Sequence, residues 1–313
     1  MSIALTRPKG LTWTVLRLHQ VALWAWIGYV AVAAGLLLWL WGPGTDGLDL
    51  VGACAGGPAV DCIAHGPTTD SYHHVLDAVD ISLNFLPLAV AVFAGGVLTG
   101  RELERGTAQL AWTQSVSPAR WLATRLTVPA LLITAGTGLL VALRHAVASR
   151  ASGLDDNQWY TGAFDILGPT AVALPLAALA CGVLAALLLR RTLPGEILGF
   201  VLTILLSAAV SYAHPYLWST RTRVGTPEQG YTSYTGEIVG QGAVTGSGAH
   251  IADPMCIDDR ACITDHDITG FYTEGHPPSH FWPLQLVQTG LLLVLAGAIT
   301  LLAFRILKRR TAS

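Results

Sequence analysis

The sequence predicts an all-α membrane protein with six transmembrane helices, both termini in the cytoplasm and a large extracytoplasmic loop between helices 5 and 6. Hydrophobic residues make up 52% of the 313 positions and charged residues only 12%, a composition that soluble globular domains do not have. About 20 apolar residues cross the hydrocarbon core as a helix. Six stretches meet that requirement, at 20–41, 81–99, 122–143, 166–189, 196–212 and 283–304.

The distribution of charge sets the predicted orientation. With the N-terminus inside, the cytoplasmic side holds 13 of the 18 Lys and Arg residues but only 3 of the 20 acidic residues. Lys and Arg concentrate on the cytoplasmic flanks of membrane helices. The first apolar stretch is too long for a cleaved signal peptide and lacks a small-residue cleavage site after it. We therefore expect a multi-pass protein of the cell membrane that forms a single transmembrane domain over 1–313.

Turn and capping residues mark the ends of the first three spans. The Gly-Pro-Gly sequence at 42–44 stops the first helix. Gly96 and Gly100 have a spacing that permits close helix contact, although general packing of small residues explains them equally well. Ser117 is expected to cap the third helix, with Pro118 in its first turn.

The remaining spans form a hairpin and a final helix. Arg190 and Arg191 end the fourth span, and a short turn leads to Glu196 at the start of the fifth. Glu196 suits a helix N-terminus because the helix dipole favours an anion there, with a proton-relay role as the alternative. The polar loop at 213–282 is large enough for a small folded cap, and the loop at 42–80 is the other extracytoplasmic loop of note.

The cysteines outside the spans come in two closely spaced pairs. Cys54 and Cys62 lie in the first outer loop, and Cys256 and Cys262 lie in the long one. Such pairs outside the cytoplasm predict disulfides. Pairing within each loop and pairing across the two loops both remain open. Cys181, in the fourth span, is expected to be a small core residue.

The chain contains no P-loop. Its two lysines are Lys9 and Lys308, and neither follows a Gly, so the phosphate-binding sequence GxxxxGK[ST] cannot be written anywhere. If ATP drives this protein, another chain binds it. The sequence also lacks HExxH and a Ser, His and Asp set within the spans, so we expect no catalysis by this chain and no cofactor in it.

The charged segment at 100–118 connects the second and third spans. It reads GRELERGTAQLAWTQSVSP and is amphipathic, unlike the apolar runs on either side. Such a connector is typical of an element that docks onto a partner. Trp121 and Arg125 follow it at the expected inner interface, where the Arg side chain can reach the headgroups.

The residues Glu104-Arg105-Gly106-Thr107, with the sequence around them, resemble the connector between the second and third spans of ABC-2 type transporter permeases. In that family an acidic residue, followed after one position by Gly-Thr, lies where the permease meets its ATPase. The resemblance is local to this segment. Elsewhere it rests on the six-span plan, the cytoplasmic N-terminus and the large loop before the last span.

The resemblance implies an ABC exporter with two permease chains and two separate ATPase chains that bind ATP and Mg²⁺. The partners would be an ABC ATPase, a second permease chain, identical or different, and the lipid bilayer, but no nucleic acid. Residues 108–115 would be the coupling helix, after a bend at Gly106 and a cap at Thr107. The residues expected to couple to the ATPase are Glu102, Glu104, Arg105, Gly106, Thr107, Gln109 and Trp112.

Two features qualify this expectation. Members of the family commonly have short re-entrant apolar helices before the last span, whereas residues 225–267 here are polar. Spans rich in Ala and Leu with few charges favour a hydrophobic or amphipathic cargo over an ion.

The outer loops offer an alternative function. A membrane-anchored sensor would use them to recognise a ligand. A metal- or haem-binding protein would use their histidines, with His266, His276 and His280 as the residues to test. The other loop histidines are His65, His73, His74, His214 and His250.

Overall fold

A computed structural model describes residues 17, 19–52, 62–114, 116–150, 163–232, 236–252, 254–256 and 259–311. Within these residues, six helices are long and apolar enough to cross a membrane. They span Gln20–Gly44, Thr69–Glu104, Pro118–Arg150, Thr170–Leu189, Thr192–Tyr216 and Pro278–Thr311.

The helices are numbered α1 to α10 in chain order. They are α1 (Gln20–Trp39), α2 (Thr69–Phe93), α3 (Arg101–Glu104), α4 (Thr107–Thr113), α5 (Pro118–Arg150), α6 (Ala163–Ile166), α7 (Thr170–Leu189), α8 (Thr192–Ala213), α9 (Arg260–Asp265) and α10 (Phe281–Thr311). A π-helical stretch, Ala94–Gly100, joins α2 to α3 without a break. The helix that contains the second apolar run, 81–99, already begins at Thr69. Its helical backbone hydrogen bonds also include the more polar residues that precede the apolar run.

The expectation of an all-α fold is wrong, because both long loops contain strands. Strands β1 (Asp49–Gly52) and β2 (Cys62–His65) pair antiparallel. Strands β3 (Arg221–Gly225), β4 (Glu237–Thr245), β5 (His250–Ala252) and β6 (Ile268–His276) form an antiparallel sheet in the order β3-β6-β4-β5. The chain is thus mostly helical, with a small sheet in the loop before the last helix.

The sheet has a small core of its own. Phe271 on β6 and Ala243 on β4 are fully buried, and Ile268 and Cys256 complete the cluster. β-branched and aromatic residues suit such a half-buried strand surface. This local core explains why a polar, Gly- and Thr-rich loop forms strands instead of extending the helical bundle.

Helix α7 is the centre of the bundle. Its Ala177, Ala178, Ala185 and Ala186 are fully buried, and it packs against α2, α5, α8 and α10. The π-helical stretch also approaches α8 closely, since a Cβ atom on Gly95 would lie only 2.6 Å from the Gly195 oxygen. Small residues let the backbones of membrane helices approach each other in this way.

The bundle has two ends with different contents. The connector end comprises the start of α1, residues 100–125, residues 190–192 and the last turn of α10. There Arg310 donates hydrogen bonds to carbonyls at the end of α7. The cap end comprises the start of α2 (69–80), the end of α5 (144–150), residues 163–169 and residues 214–288, which include the four-stranded sheet.

Candidate coupling interface

The connector between α2 and α5 is a helix, a bend and a second helix. Helix α3 ends at Glu104, and Gly106 has a φ of 71°, a left-handed conformation that glycine adopts without a Cβ clash. Helix α4 follows over Thr107–Thr113. Helix α5 begins at Pro118, where the Arg120 amide donates a hydrogen bond of 3.3 Å to Ser117 Oγ.

Thr107 does not cap the helix that follows it. Its hydroxyl donates to the Glu102 carbonyl at 3.3 Å, and Gly106 occupies the N-cap position without a side chain. The hydroxyl therefore satisfies a carbonyl at the end of α3, which has no partner within that short helix.

Glu102 fixes α3 to the start of α5. Its carboxylate accepts a hydrogen bond of 3.0 Å from Trp121 Nε1 and pairs with the Arg125 guanidinium. The side chains of Arg125 and Glu102 are only 6% and 12% exposed. A charge-assisted bond of this kind is stronger than a neutral one. Arg125 therefore does not reach the headgroups as expected, because its charge is already paired inside the connector end.

Arg125 extends this contact to the start of α1. Its Nη1 donates to His19 Nε2 at 2.7 Å. Burial first, and then the charges of Arg125 and Arg101, lower the pKa of His19 to about 4. The ring is neutral near pH 7, which lets its nitrogen accept the hydrogen bond.

Glu104 fixes α3 to α8. Its carboxylate accepts a hydrogen bond of 2.9 Å from the Thr192 amide and a second bond from the Thr192 hydroxyl. The first amides of a helix lack partners within the helix, and the helix dipole favours an anion there. Glu104 thus caps α8 from another element and joins the segment at 100–118 to the turn between α7 and α8.

Helix α4 has an inner and an outer face. Trp112 packs edge-on against Trp121, with ring centroids 5.6 Å apart, and Ala108 is 1% exposed. Leu110, on the outer face, is 59% exposed. The exposed residues of the segment are Arg101, Glu104, Arg105, Thr107, Gln109, Leu110, Thr113, Gln114 and Ser117.

The structure thus separates the seven predicted coupling residues into two groups. Glu102 and Trp112 face inward and hold the segment in place, while Gly106 makes the bend. The outward group consists of Arg105, Thr107 and Gln109, whereas Glu104 is exposed but holds α8 through Thr192. Leu110 was not among the predicted residues, although it is an apolar side chain on the exposed, otherwise polar face of α4.

Arg125 and Thr192 were also missed as partners of the segment. An Arg inside an apolar span marks a functional position, and this signal was present for Arg125. No local signal pointed to Thr192, which lies 88 positions from Glu104.

The cap end contains a buried ion pair and a hydrogen-bond network. Arg144, 1% exposed, donates to both carboxylate oxygens of Asp80, at 2.9 and 3.1 Å. Gln288 joins Asp165 at 2.7 Å and His214 at 2.8 Å, and His214 joins Glu237 of β4 at 2.9 Å. Burial raises the pKa of Asp165.

The predicted cysteine and histidine sites fall mainly in the sheet region. The sulfurs of Cys256 and Cys262 are paired with each other. Cys54 lies outside the described residues, as does the side chain of Cys62. Cys181 is buried.

A metal site would need donors that converge. One ring nitrogen of His266 lies within 4.8 Å of both sulfurs of the Cys256–Cys262 pair, but paired sulfurs are not thiolate ligands. The rings of His276 and His280 approach each other, with their Nδ1 atoms 3.3 Å apart. With its two sulfurs bonded to each other, the Cys256, Cys262 and His266 group provides one imidazole and no thiolate.

Comparison with known proteins identifies the family. Residues 13–216 match the family described as ABC-2 membrane transporter related. The match covers more than half of the chain, from before α1 to the end of α8, and stops before the four-stranded sheet. No curated protein and no solved structure matches the chain. With its six membrane-spanning helices, the chain belongs to the ABC-2 membrane transporter related family and is a multi-pass membrane protein.

Proposed function

We propose that this chain is the permease subunit of an ATP-driven ABC exporter and that its connector end docks onto a separate ATPase chain. Membership of the family supports a permease component of an ABC transporter, associated with an ABC ATPase in the membrane. In this proposal the connector end is cytoplasmic, two permease chains form the pathway, and ATP and Mg²⁺ bind to the ATPase.

The observation that carries the proposal is the way the segment at 100–118 is held. Its inner face is fixed to α5 through Glu102 and Arg125 and to α8 through Glu104 and Thr192. Its outer face is exposed around Leu110. A short helix held at its base transmits the motion of a bound partner to the spans, provided that its contacts differ between two states.

The outer face also indicates the chemistry of the partner. Besides Leu110, the same segment exposes the cations of Arg101 and Arg105 and the amide of Gln109. A groove with an apolar pocket and an acidic rim is the complementary surface. In this proposal Leu110 supplies the apolar contact, and the charges fix the orientation of the partner.

The cargo follows from the walls of the bundle. The spans are apolar. The buried charged side chains pair with each other, Glu102 with Arg125 and Asp80 with Arg144. We propose a hydrophobic or amphipathic cargo that moves outward. Strict dependence of transport on a small inorganic ion would contradict this part of the proposal.

The experiment is co-purification of the full chain with candidate ABC ATPases, comparing wild type with Leu110→Asp. We expect the wild type to retain an ATPase and the variant to lose it, because a carboxylate replaces the apolar anchor. The matched control is Met255→Asp, which removes an 84% exposed apolar side chain at the cap end. Equal retention of the ATPase by wild type and Leu110→Asp would overturn the proposed docking surface.

A further inference from the structure

A cavity of about 430 Å³ lies between α1, α2 and α5. This volume falls in the usual range of small-molecule sites, about 300–1,000 Å³. The walls are apolar and include Leu23, Leu86, Val90 and Leu132. No residue of α4 lines the cavity, so the cavity is separate from the proposed docking surface around Leu110.

The few polar groups on the wall are already engaged. Tyr29 Oη and Ser82 Oγ share a hydrogen bond of 3.2 Å, and Trp26 Nε1 donates to the Leu132 carbonyl at 3.2 Å. A polar ligand would lose hydrogen bonds to water without equivalent replacement. The interior therefore suits an aliphatic chain.

The mouth of the cavity faces sideways, between α1 and α2. Phe85 on α2 is 62% exposed, and the wall residues Ala25 and Ala89 are exposed beside it. Both helices cross the membrane, so this opening faces the bilayer. An occupant can enter from the lipid without passing through water.

The connector end of the cavity is positively charged. His19 lies on the wall and is hydrogen-bonded to Arg125. The positive charge of Arg101 is close enough to contribute to the lowered pKa of His19. Glu102 neutralises the charge of Arg125. The positive charge that remains at this end is that of Arg101, which is exposed. Among the described residues, no acceptor bonds to the buried Nε of Arg125. An apolar cavity with a basic end matches an amphiphile with an anionic head group.

We propose that this cavity holds one acyl chain of an anionic phospholipid, with its head group beside Arg101 and Arg125 at the connector end. Binding at this site does not depend on the exporter proposal. If both hold, His19, Arg125 and Glu102 form a continuous contact from the cavity wall to the coupling segment, through which the lipid stabilises the position of that segment.

The test is photolabelling of the full chain in nanodiscs with phosphatidylglycerol that carries a diazirine on its acyl chain. We expect label on residues 82–93 and 128–133, and we expect excess unlabelled phosphatidylglycerol to compete better than phosphatidylcholine. Ala89→Trp fills the mouth and should lose most of this label. The control, Ala298→Trp, makes the same change at an exposed position of α10, a helix that contributes no wall residue, and should keep it. Arg101→Gln should keep the label but reduce the preference for phosphatidylglycerol.

Three outcomes would overturn the proposal. The first is label spread evenly over the lipid-facing residues of α10 as well. The second is equal competition by the two lipids. The third is cross-linking between two copies through Ala89→Cys without label in the cavity, which would identify a second copy of the chain as the occupant of the mouth. None of these measurements involves an ATPase, so such a failure would leave the exporter proposal unaffected.

Discussion

The connector end and the cap end both bury charged side chains, but they use them differently. At the connector end, Glu102 and Glu104 fix only the inner side of the segment at 100–118, and the other side stays exposed around Leu110. At the cap end, the contacts of Arg144 and His214 run inward and join helices to helices and to the sheet.

This difference indicates where a partner binds. The segment at 100–118 is held rigidly on its inner side, and its outer side is exposed around Leu110. Such a segment suits docking, because it loses little conformational entropy on binding. At the cap end, Asp165, Gln288, His214 and Glu237 satisfy one another in a hydrogen-bond network, which rigidifies the attachment of the sheet. We therefore expect changes at the cap end to affect mainly stability and changes at the connector end to affect association as well.

The largest effect is expected from Arg144→Leu, which breaks the buried pair at the cap end. Removing one partner of a buried pair costs about 3–5 kcal/mol, and the partial exposure of Asp80, 21% for its side chain, places this pair near the lower limit. The measurement is thermal unfolding of the purified protein in detergent. The double variant Asp80→Leu/Arg144→Leu should recover most of the loss, because no charge is left unpaired. Equal loss in the single and double variants would contradict a stability role for the pair.

A smaller effect is expected from Glu102→Ala at the connector end. Arg125 keeps its hydrogen bond to His19 in this variant. Loss of the hydrogen bonds from Arg125 and Trp121 should therefore cost about 1.5–3 kcal/mol, below the cost of a buried charge left without any partner, and should release the segment. Hydrogen exchange of the amides at 103–113 should become faster, while exchange in α10 stays unchanged. Arg105→Gln, a change at an exposed position of the same segment, is the control. Unchanged exchange in Glu102→Ala would show that this contact does not hold the segment.

A direct comparison of the two ends uses two glycines with similar backbones. Gly106 has a φ of 71° and Gly248, in the turn between β4 and β5, has a φ of 79°. Gly106→Ala and Gly248→Ala should each cost about 1–2 kcal/mol, the strain of a left-handed residue with a Cβ atom. Only Gly106→Ala should also weaken ATPase co-purification, because it shifts α4. Equal weakening by both variants would remove the distinction between the ends.

The smallest effect is a pH dependence at the cap end. Because burial raises the pKa of Asp165 above its unfolded value, its contribution to stability is present at low pH and is lost as pH rises through the folded pKa. Asp165→Asn keeps an oxygen that accepts from Gln288 but cannot ionise. Relative to wild type, this variant should become more stable as pH increases, as followed by the unfolding temperature across the pH range. A constant difference between the two proteins at all pH values would contradict this assignment.

Some features of the site were accessible from the sequence. The bend at Gly106 and the cap at Ser117 depend on backbone sterics and on a hydrogen bond within three residues, so the identity of the residues was sufficient. The partners of Glu102 and Glu104 were not accessible in this way, since Arg125 and Thr192 lie 23 and 88 positions away. The strands of the cap were missed because their alternation of buried and exposed positions depends on a core that assembles from separate segments.

The sequence by itself determined the membrane class, the six spans and the absence of a P-loop. Each of these can be read from a continuous stretch of neighbouring residues. Only the tertiary structure decided which side of the segment at 100–118 is occupied by its own chain and which side remains exposed. It also decided where the cavity between α1, α2 and α5 lies. These features depend on how distant helices meet, and close packing at Gly95 and along α7 sets those distances.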